Sequence, residues 1–344
     1  MRFLFVGLGS IGQRHLRNLR ALLGNDCEII AYRALRRDVV INDQMQVVRG
    51  STIADFYGIR EFTDYQEALA ERPDAVFITN PSSLHLPFAI EAATAGCNLF
   101  IEKPLSVGTE GLEQLIDLVD SKGLVAFVGH QQRFHPGMSK VREWLADPRL
   151  GRPVSARFEY GEYLPYWHPY EDYRNTYGAR ADLGGGALLT LIHSIDCAVW
   201  LFGKPGRLFA AGGHLSHLAL DVEDVSTILM AYVIDGGTLP VVVSLDYLQW
   251  PGKNSLVVVG DQGKIIWDFI ANRGTLTSRI TEDQDVWENM EYTRNEAFMA
   301  EMLHFLACLR GQEEPLVSLR EASKSVEIAA SARQSMNWGK VIEL

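Results

Sequence analysis

Gly7-Leu8-Gly9-Ser10-Ile11-Gly12 is a G-x-G-x-x-G run, and its spacing suits the cradling of a pyrophosphate. Gly7 permits a tight turn, Gly9 lets the backbone approach phosphate, and Gly12 lets a helix pack close. Ser10 and Ile11 fall where that helix starts, so its free N–H groups and positive dipole end face the phosphates. Some 20 positions past the glycines, NAD-binding chains place an acid for the ribose 2′-OH. Here that place holds Arg33, with Arg36 and Arg37 beyond. An acid repels a 2′-phosphate and an arginine pairs with it, so Arg33 and Arg37 point to NADP ahead of NAD. The competing reading is a solvated basic loop. Residues 160–180 read YGEYLPYWHPYEDYRNTYGAR. Aromatic faces stack on sugar rings and polar tips bind hydroxyls, so Tyr163, Trp167 and Arg174 are candidate substrate contacts. An aromatic loop packed at a subunit interface is the alternative.

The apolar run Phe3–Val6 feeds the glycines, and Ile11, His15, Leu16, Leu19, Leu22 and Leu23 follow at helical spacing as far as Gly24. Buried strands are expected at 28–33, 75–79, 97–101 and 124–129, with helices between them. Thr63-x-x-Gln66 and Thr109 offer caps for two of these helices. Strands alternating with helices in short steps give a doubly wound parallel sheet, whose ligand crevice lies at the strand carboxyl ends. Asn80, Glu102 and Lys103 stand at such ends and His85 follows closely, so all four are expected to line the dinucleotide. The pattern changes near Phe134-His135-Pro136. A helix runs through Trp144, then period-2 strands at 154–160, 208–214, 225–234, 241–247, 255–260 and 264–267, and helices from Thr293 and Ser318. The expected architecture is a Rossmann domain at 1–130 and an α+β domain with a mostly antiparallel open sheet at 131–344.

The 344 residues exceed what most single cores hold. A net charge of −11 without a basic run argues against nucleic acid and anionic membranes as partners. No apolar run reaches membrane-spanning length. Cys27, Cys97, Cys197 and Cys308 are far apart and lack metal or disulfide spacing, which fits reduced core thiols in the cytoplasm. No metal is expected. Residues 225–234 are apolar on both faces, so the open face of the second sheet is expected to bury in a homodimer or homotetramer.

Three stretches coincide: GLGSIGQRHLRNL, FIEKPLS and DLGGGALLTLIHSIDCAVWLFG. Together they resemble the Gfo/Idh/MocA family of NAD(P)-dependent oxidoreductases, over nearly the whole chain. The resemblance implies that Lys103 of Glu-Lys-Pro exchanges a proton near the nicotinamide, with a cis Lys103–Pro104 bond. It implies that His193 contacts the substrate hydroxyl, and that Asp196, at i+3, orients it or binds substrate. The chemistry agrees: removing hydride from a C–H requires a base for its O–H proton, and a lysine beside a cationic nicotinamide releases its proton more readily. This chain departs from the family at the acid before the histidine. Leu189 and Thr190 hold the two usual places, leaving Lys103 and His193 to share the proton work or Asp196 or Asp182 to stand in. The implied activity is hydride transfer between NAD(P) and a hydroxyl-bearing carbon of a sugar, cyclitol or nucleotide-activated sugar. The alternatives are a non-catalytic dinucleotide sensor and an enzyme that never releases its cofactor.

Overall fold

The computed structural model describes residues 1–34, 39–42 and 46–344. They form two compact units, residues 1–130 with 298–323 and residues 131–297 with 324–344.

In the first unit, β1 (Arg2–Val6), β2 (Glu28–Tyr32), β5 (Arg60–Phe62), β6 (Ala75–Ile78), β7 (Asn98–Glu102) and β8 (Ala126–Gly129) make one sheet in the order β5-β2-β1-β6-β7-β8. Every pairing in it is parallel. The chain steps outward from β1 in opposite directions to β2 and to β6, which puts the switch point beside the glycine turn. A small hairpin, β3 (Val40–Ile41) and β4 (Val47–Val48), stands apart. The helices are α1 (Ser10–Leu23), α2 (Ile53–Tyr57), α3 (Tyr65–Ala70), α4 (His85–Thr94) and α5 (Leu112–Lys122). Both faces of this sheet are covered, so its strands read as continuous apolar runs. Phe5, Phe77 and Phe100 stack across three strands at centroid spacings of 4.6 and 4.9 Å. Phe305 meets Phe77 and Phe100 edge-on at 5.6 and 5.3 Å.

Phe305 lies on α9 (Arg294–Leu309), so residues 298–323 complete the first unit's core. The sequence assigned them to the second domain, because an apolar helix face does not state which sheet it will cover. Two caps also differ. Asp64, not Thr63, accepts from Glu67 N at 3.0 Å to start α3, and Gly111 rather than Thr109 precedes α5.

The second unit holds a nine-stranded sheet made of β9 (Pro153–Gly161), β10 (Arg207–Gly213), β11 (Val225–Ile234), β12 (Gly237–Asp246), β13 (Lys253–Gly260), β14 (Gly263–Asp268), β15 (Arg273–Ser278), β16 (Gln284–Glu288) and β17 (Ile342–Glu343). Its order is β16-β15-β14-β13-β9-β12-β11-β10-β17, antiparallel except for β9 beside β12. On β11, Ser226, Ile228, Met230 and Tyr232 point into the core while Leu229 and Val233 are exposed. Helices α6 (Pro136–Leu145), α7 (Ala187–Thr190) and α8 (His193–Phe202) precede α9 and α10 (Leu319–Trp338). Among the described residues, no single helix is long and apolar enough to cross a membrane.

Candidate active site

The glycine turn has the shape its residues dictate. Gly7 has φ +89°, and a Cβ there would come within 3.0 Å of Asn80 Cα. A Cβ on Gly12 would stand 2.6 Å from Gly7 O and 2.7 Å from Thr79 Oγ1, so α1 starts against the strand ends. Gly9 is exposed with open space around it. It precedes α1 without a side-chain cap, and no acid lies in the helix's first turn. The amides around Ser10 and Ile11 are thus left to an anion. Asn80 Oδ1, across the turn, is buried without a hydrogen-bond partner among the described residues. An open cradle at a helix N-terminus beside an orphaned acceptor fits a dinucleotide.

Arg33 is placed differently from the expectation. Its side chain is buried and ion-paired with Glu61 of β5. An arginine whose charge is already met has less to offer a 2′-phosphate. Arg36 and Arg37 lie outside the described residues.

Glu102 ends β7 with its carboxylate turned inward. Oε1 lies 2.6 Å from His15 Nε2, and Oε2 accepts from Lys103 N at 3.1 Å. Burial opposes its ionisation, but the His15 hydrogen bond and the nearby Lys103 and His85 outweigh it and hold its pKa below the usual carboxylate value. Both Glu102 oxygens are engaged, one by α1 and one by the backbone of Lys103. His85 is engaged in a similar way. It is buried, with Nδ1 2.7 Å from Pro104 O and Nε2 2.9 Å from Asn80 O, so it ties two loops together. Lys103 itself is half-buried at the carboxyl end of β7, and its bond to Pro104 is cis.

In the second unit, Gly184, Gly185 and Gly186 close a tight turn. A Cβ on Gly185 would stand 2.3 Å from Tyr177 O, and one on Gly186, at φ +104°, 2.3 Å from Glu223 Oε1. The apolar stretch after the glycines forms two helices, α7 and α8, and the segments Ala181–Thr190 and His193–Phe202 are bent by 50°. Leu189 and Thr190 are thus buried in a different helix from His193, which opens α8. His193 Nε2 accepts from Gln131 Nε2 at 3.3 Å, since an amide nitrogen can only donate. Asp196 takes two hydrogen bonds from Arg133, Nε to Oδ2 at 2.8 Å and Nη2 to Oδ1 at 2.7 Å, and a third from Ser325 Oγ at 3.0 Å. The carboxylate and guanidinium are both buried. Both oxygens of Asp196 are thus engaged by a buried arginine, and one of them also by Ser325. Asp182, the other stand-in, is exposed and paired with Arg180 at 2.9 Å.

The aromatic loop is a chain of short turns. Tyr163 meets Tyr166 at 4.9 Å, Tyr166 meets Trp250 at 5.1 Å, and Trp167 packs edge-on to Tyr247 at 5.4 Å. Trp167 also lines a small pocket with Leu164, His168, Tyr173 and Tyr177. Arg174 is exposed and held by Asp172 at 2.9 Å.

Residues 1–130 match the profile of an oxidoreductase family with an NAD-binding Rossmann fold, and residues 138–266 match the GFO/IDH/MocA C-terminal domain. The chain belongs to the Gfo/Idh/MocA oxidoreductase family. It is an NAD(P)-dependent oxidoreductase by that membership. Among similar proteins, scyllo-inositol 2-dehydrogenase (NAD(+)) of Bacillus subtilis is 24% identical over 100% of this chain and 96% of its own length. D-apiose dehydrogenase of Paraburkholderia graminis is 26% identical over 98% of this chain and 88% of its own. A levoglucosan dehydrogenase solved with NADH and levoglucosan aligns at a TM-score of 0.82 and 17% identity, covering 100% of this chain and 99% of that one. The WlbA dehydrogenase of Bordetella pertussis, solved with NADH and UDP-GlcNAcA, aligns at 0.79 and 22%, covering 100% and 98%. The structural likenesses show the fold. Sequence reasoning missed Gln131 and Arg133, the partners of two Gfo/Idh/MocA motif residues. The one signal for them was a polar Gln-Gln-Arg directly after the strand end at Gly129-His130.

Proposed function

We propose that this protein is a dehydrogenase of polyhydroxylated small molecules, acting on a hydroxyl-bearing carbon of a sugar, cyclitol or nucleotide-activated sugar. The observation that carries the reading is Lys103 at the carboxyl end of β7, its backbone N–H held by Glu102, on the same sheet edge as the glycine cradle. When bound, the nicotinamide supplies the hydride acceptor or donor. Lys103 takes the proton of the substrate hydroxyl in oxidation and returns it in reduction. His193, held by Gln131 at Nε2, binds the substrate hydroxyl. Tyr163, Trp167 and Arg174 are assigned to substrate binding, the first two by stacking and Arg174 by charge.

The substrate class is supported by the relatives, which act on inositol, apiose and levoglucosan by name. For the cofactor, Glu61 beside Arg33 works against a strong NADP preference, and we favour NAD(H) with NADP(H) bound comparably. The first domain serves the dinucleotide and the second the substrate. A homodimer or homotetramer is supported by one row across the second sheet. Phe209, Leu229, Val242, Arg157, Val257 and Ile266 are neighbours in register, and Phe209, Leu229 and Ile266 are each about 40% exposed. Such an apolar face suits a second copy of itself. The four cysteines are free, in keeping with a cytoplasmic site of action.

The test is absorbance at the nicotinamide band with NAD+ and NADP+ over scyllo- and myo-inositol, D-apiose, levoglucosan and UDP-sugars. Turnover of one of them supports the reading. Cofactor binding without turnover of any would move the protein to the sensor class.

A further inference from the structure

Glu301, on α9, is fully buried, and neither of its carboxylate oxygens has a hydrogen-bond partner among the described residues. Its polar neighbours are His15 and a second acid, Glu102. One donor or acceptor atom from each of the three lies within 4.8 Å of the others. His15 is walled by Phe100 at 4.8 Å and Phe298 at 5.7 Å, so the cluster lies in an aromatic interior. Two carboxyl groups sharing such a site cannot both ionise. Glu102 has the means to hold a charge: the His15 contact, the Lys103 N–H, and His85 nearby. Glu301 has none of these, and the charge that bears on it is that of Glu102. Burial first, and then Glu102, push its pKa well above the usual carboxylate value. The proton of the pair therefore rests on Glu301, and a neutral carboxylic acid is a donor.

We propose that Glu301 carries a proton in the working protein and donates it, directly or through one water, to Glu102, acting as a positioning residue for Lys103. Glu102 then gathers three donors from three elements: His15 from α1, the Lys103 N–H from its own strand end, and Glu301 from α9. The three together fix the peptide that presents Lys103. The catalytic meaning rests on the role given to Lys103 above, while the proton on Glu301 and its bond to Glu102 do not.

The experiment is arranged so that the two separate. Infrared difference spectra of wild type minus Glu301→Gln at mildly alkaline pH should show the carbonyl stretch of a protonated carboxylic acid. Absence of that band would overturn the proposal. In proton NMR with 15N-histidine labelling, the His15 Nε2–H signal should move downfield in Glu301→Leu, because Glu102 with one donor fewer accepts more strongly. In Glu301→Gln, whose amide still donates, the signal should stay near its wild-type position. An unmoved signal in Glu301→Leu would overturn the bond to Glu102, and Glu301→Met takes that variant's place if it does not fold. With a polyol identified by the absorbance panel, Glu301→Leu should lower kcat by on the order of tenfold to a hundredfold with little change in NADH affinity, and Glu301→Gln should recover most of the loss. A panel without turnover would refute the proposed function while the two spectroscopic results still decide the role of Glu301.

Discussion

His15 Nε2 and Glu102 Oε1 lie 2.6 Å apart, with both side chains buried. His15 is on the helix that opens at the glycine turn, and Glu102 immediately precedes Lys103. The helix that opens at the glycine turn and the strand end that carries the lysine are therefore bonded to each other. Because Glu102 also accepts from the Lys103 N–H, a shift of α1 is passed to the lysine's backbone. The Gfo/Idh/MocA glycine and Glu-Lys-Pro motifs form one connected piece in this chain.

The pairing of Arg33 with Glu61 sets the cofactor prediction. Fluorescence titration should give dissociation constants for NADH and NADPH within about tenfold of each other, since Arg33 is already neutralised. Glu61→Gln removes that counter-charge from Arg33 and should shift the ratio toward NADPH by about tenfold to a hundredfold, the worth of a charge-assisted pair. An unchanged ratio in Glu61→Gln would show that Arg33 does not reach the 2′ position.

Asp196→Ala strips Arg133 of its buried counter-charge. Removing one partner of such a pair costs about 3–5 kcal/mol. For a unit of this size that lowers Tm by on the order of 10 °C, read by scanning calorimetry. A raised KM with an unmoved Tm would return Asp196 to the substrate-contact role that its bonds to Arg133 and Ser325 argue against.

His135 gives the pH dependence. Burial lowers its pKa from the ordinary 6.5 to about 4, against the raising influence of Asn272 and Glu296. Its Nδ1 accepts from Gly137 N at 3.0 Å and so caps α6, which only the form with that nitrogen unprotonated can do. The unfolded chain takes up the proton near pH 6.5 and the folded one only near 4. Stability therefore falls as pH drops through that window, by about 3 kcal/mol from this group. His135→Asn keeps an acceptor that does not titrate. Its melting temperature should vary less between pH 6.5 and 4 than that of wild type, and an equal slope would discard His135 as the cause.

The exposed row on the second sheet is tested by light scattering. Wild type should run as a dimer or tetramer at micromolar concentration. Leu229→Asp should run as a monomer with a nearly unchanged far-UV spectrum, because Leu229 is 45% exposed in the chain itself. A monomeric wild type would leave that face without a copy of itself to cover it.

Much of the fold was legible because each domain has its own period. Continuous apolar runs marked a parallel sheet covered on both faces, and the alternation at 154–160 marked a sheet of the other kind. Strand β16 escaped because an edge strand buries little, and β15, which lies between β14 and β16, escaped because its buried positions are Gly274, Leu276 and Ser278, only one of them a large apolar residue. The site was legible where residue type alone carries meaning, as at Gly7, Gly12 and Lys103. It was not legible where the partner is remote in sequence. Nothing near Asp196 names Arg133, nothing near Arg33 names Glu61, and nothing near Glu102 names Glu301, yet these partners decide what each charge is free to do. The break between α7 and α8 was hidden for a different reason. Leu191 and Ile192 are ordinary helix-compatible residues, so their types do not mark the break.

The central claim is that Lys103 moves the proton while the glycine cradle holds the cofactor. Steady-state turnover and NADH titration of Lys103→Met test it most directly. The account predicts a kcat lower by roughly 10²–10⁴, the usual worth of general acid–base help, with NADH affinity close to wild type. Turnover near the wild-type rate in Lys103→Met would contradict it.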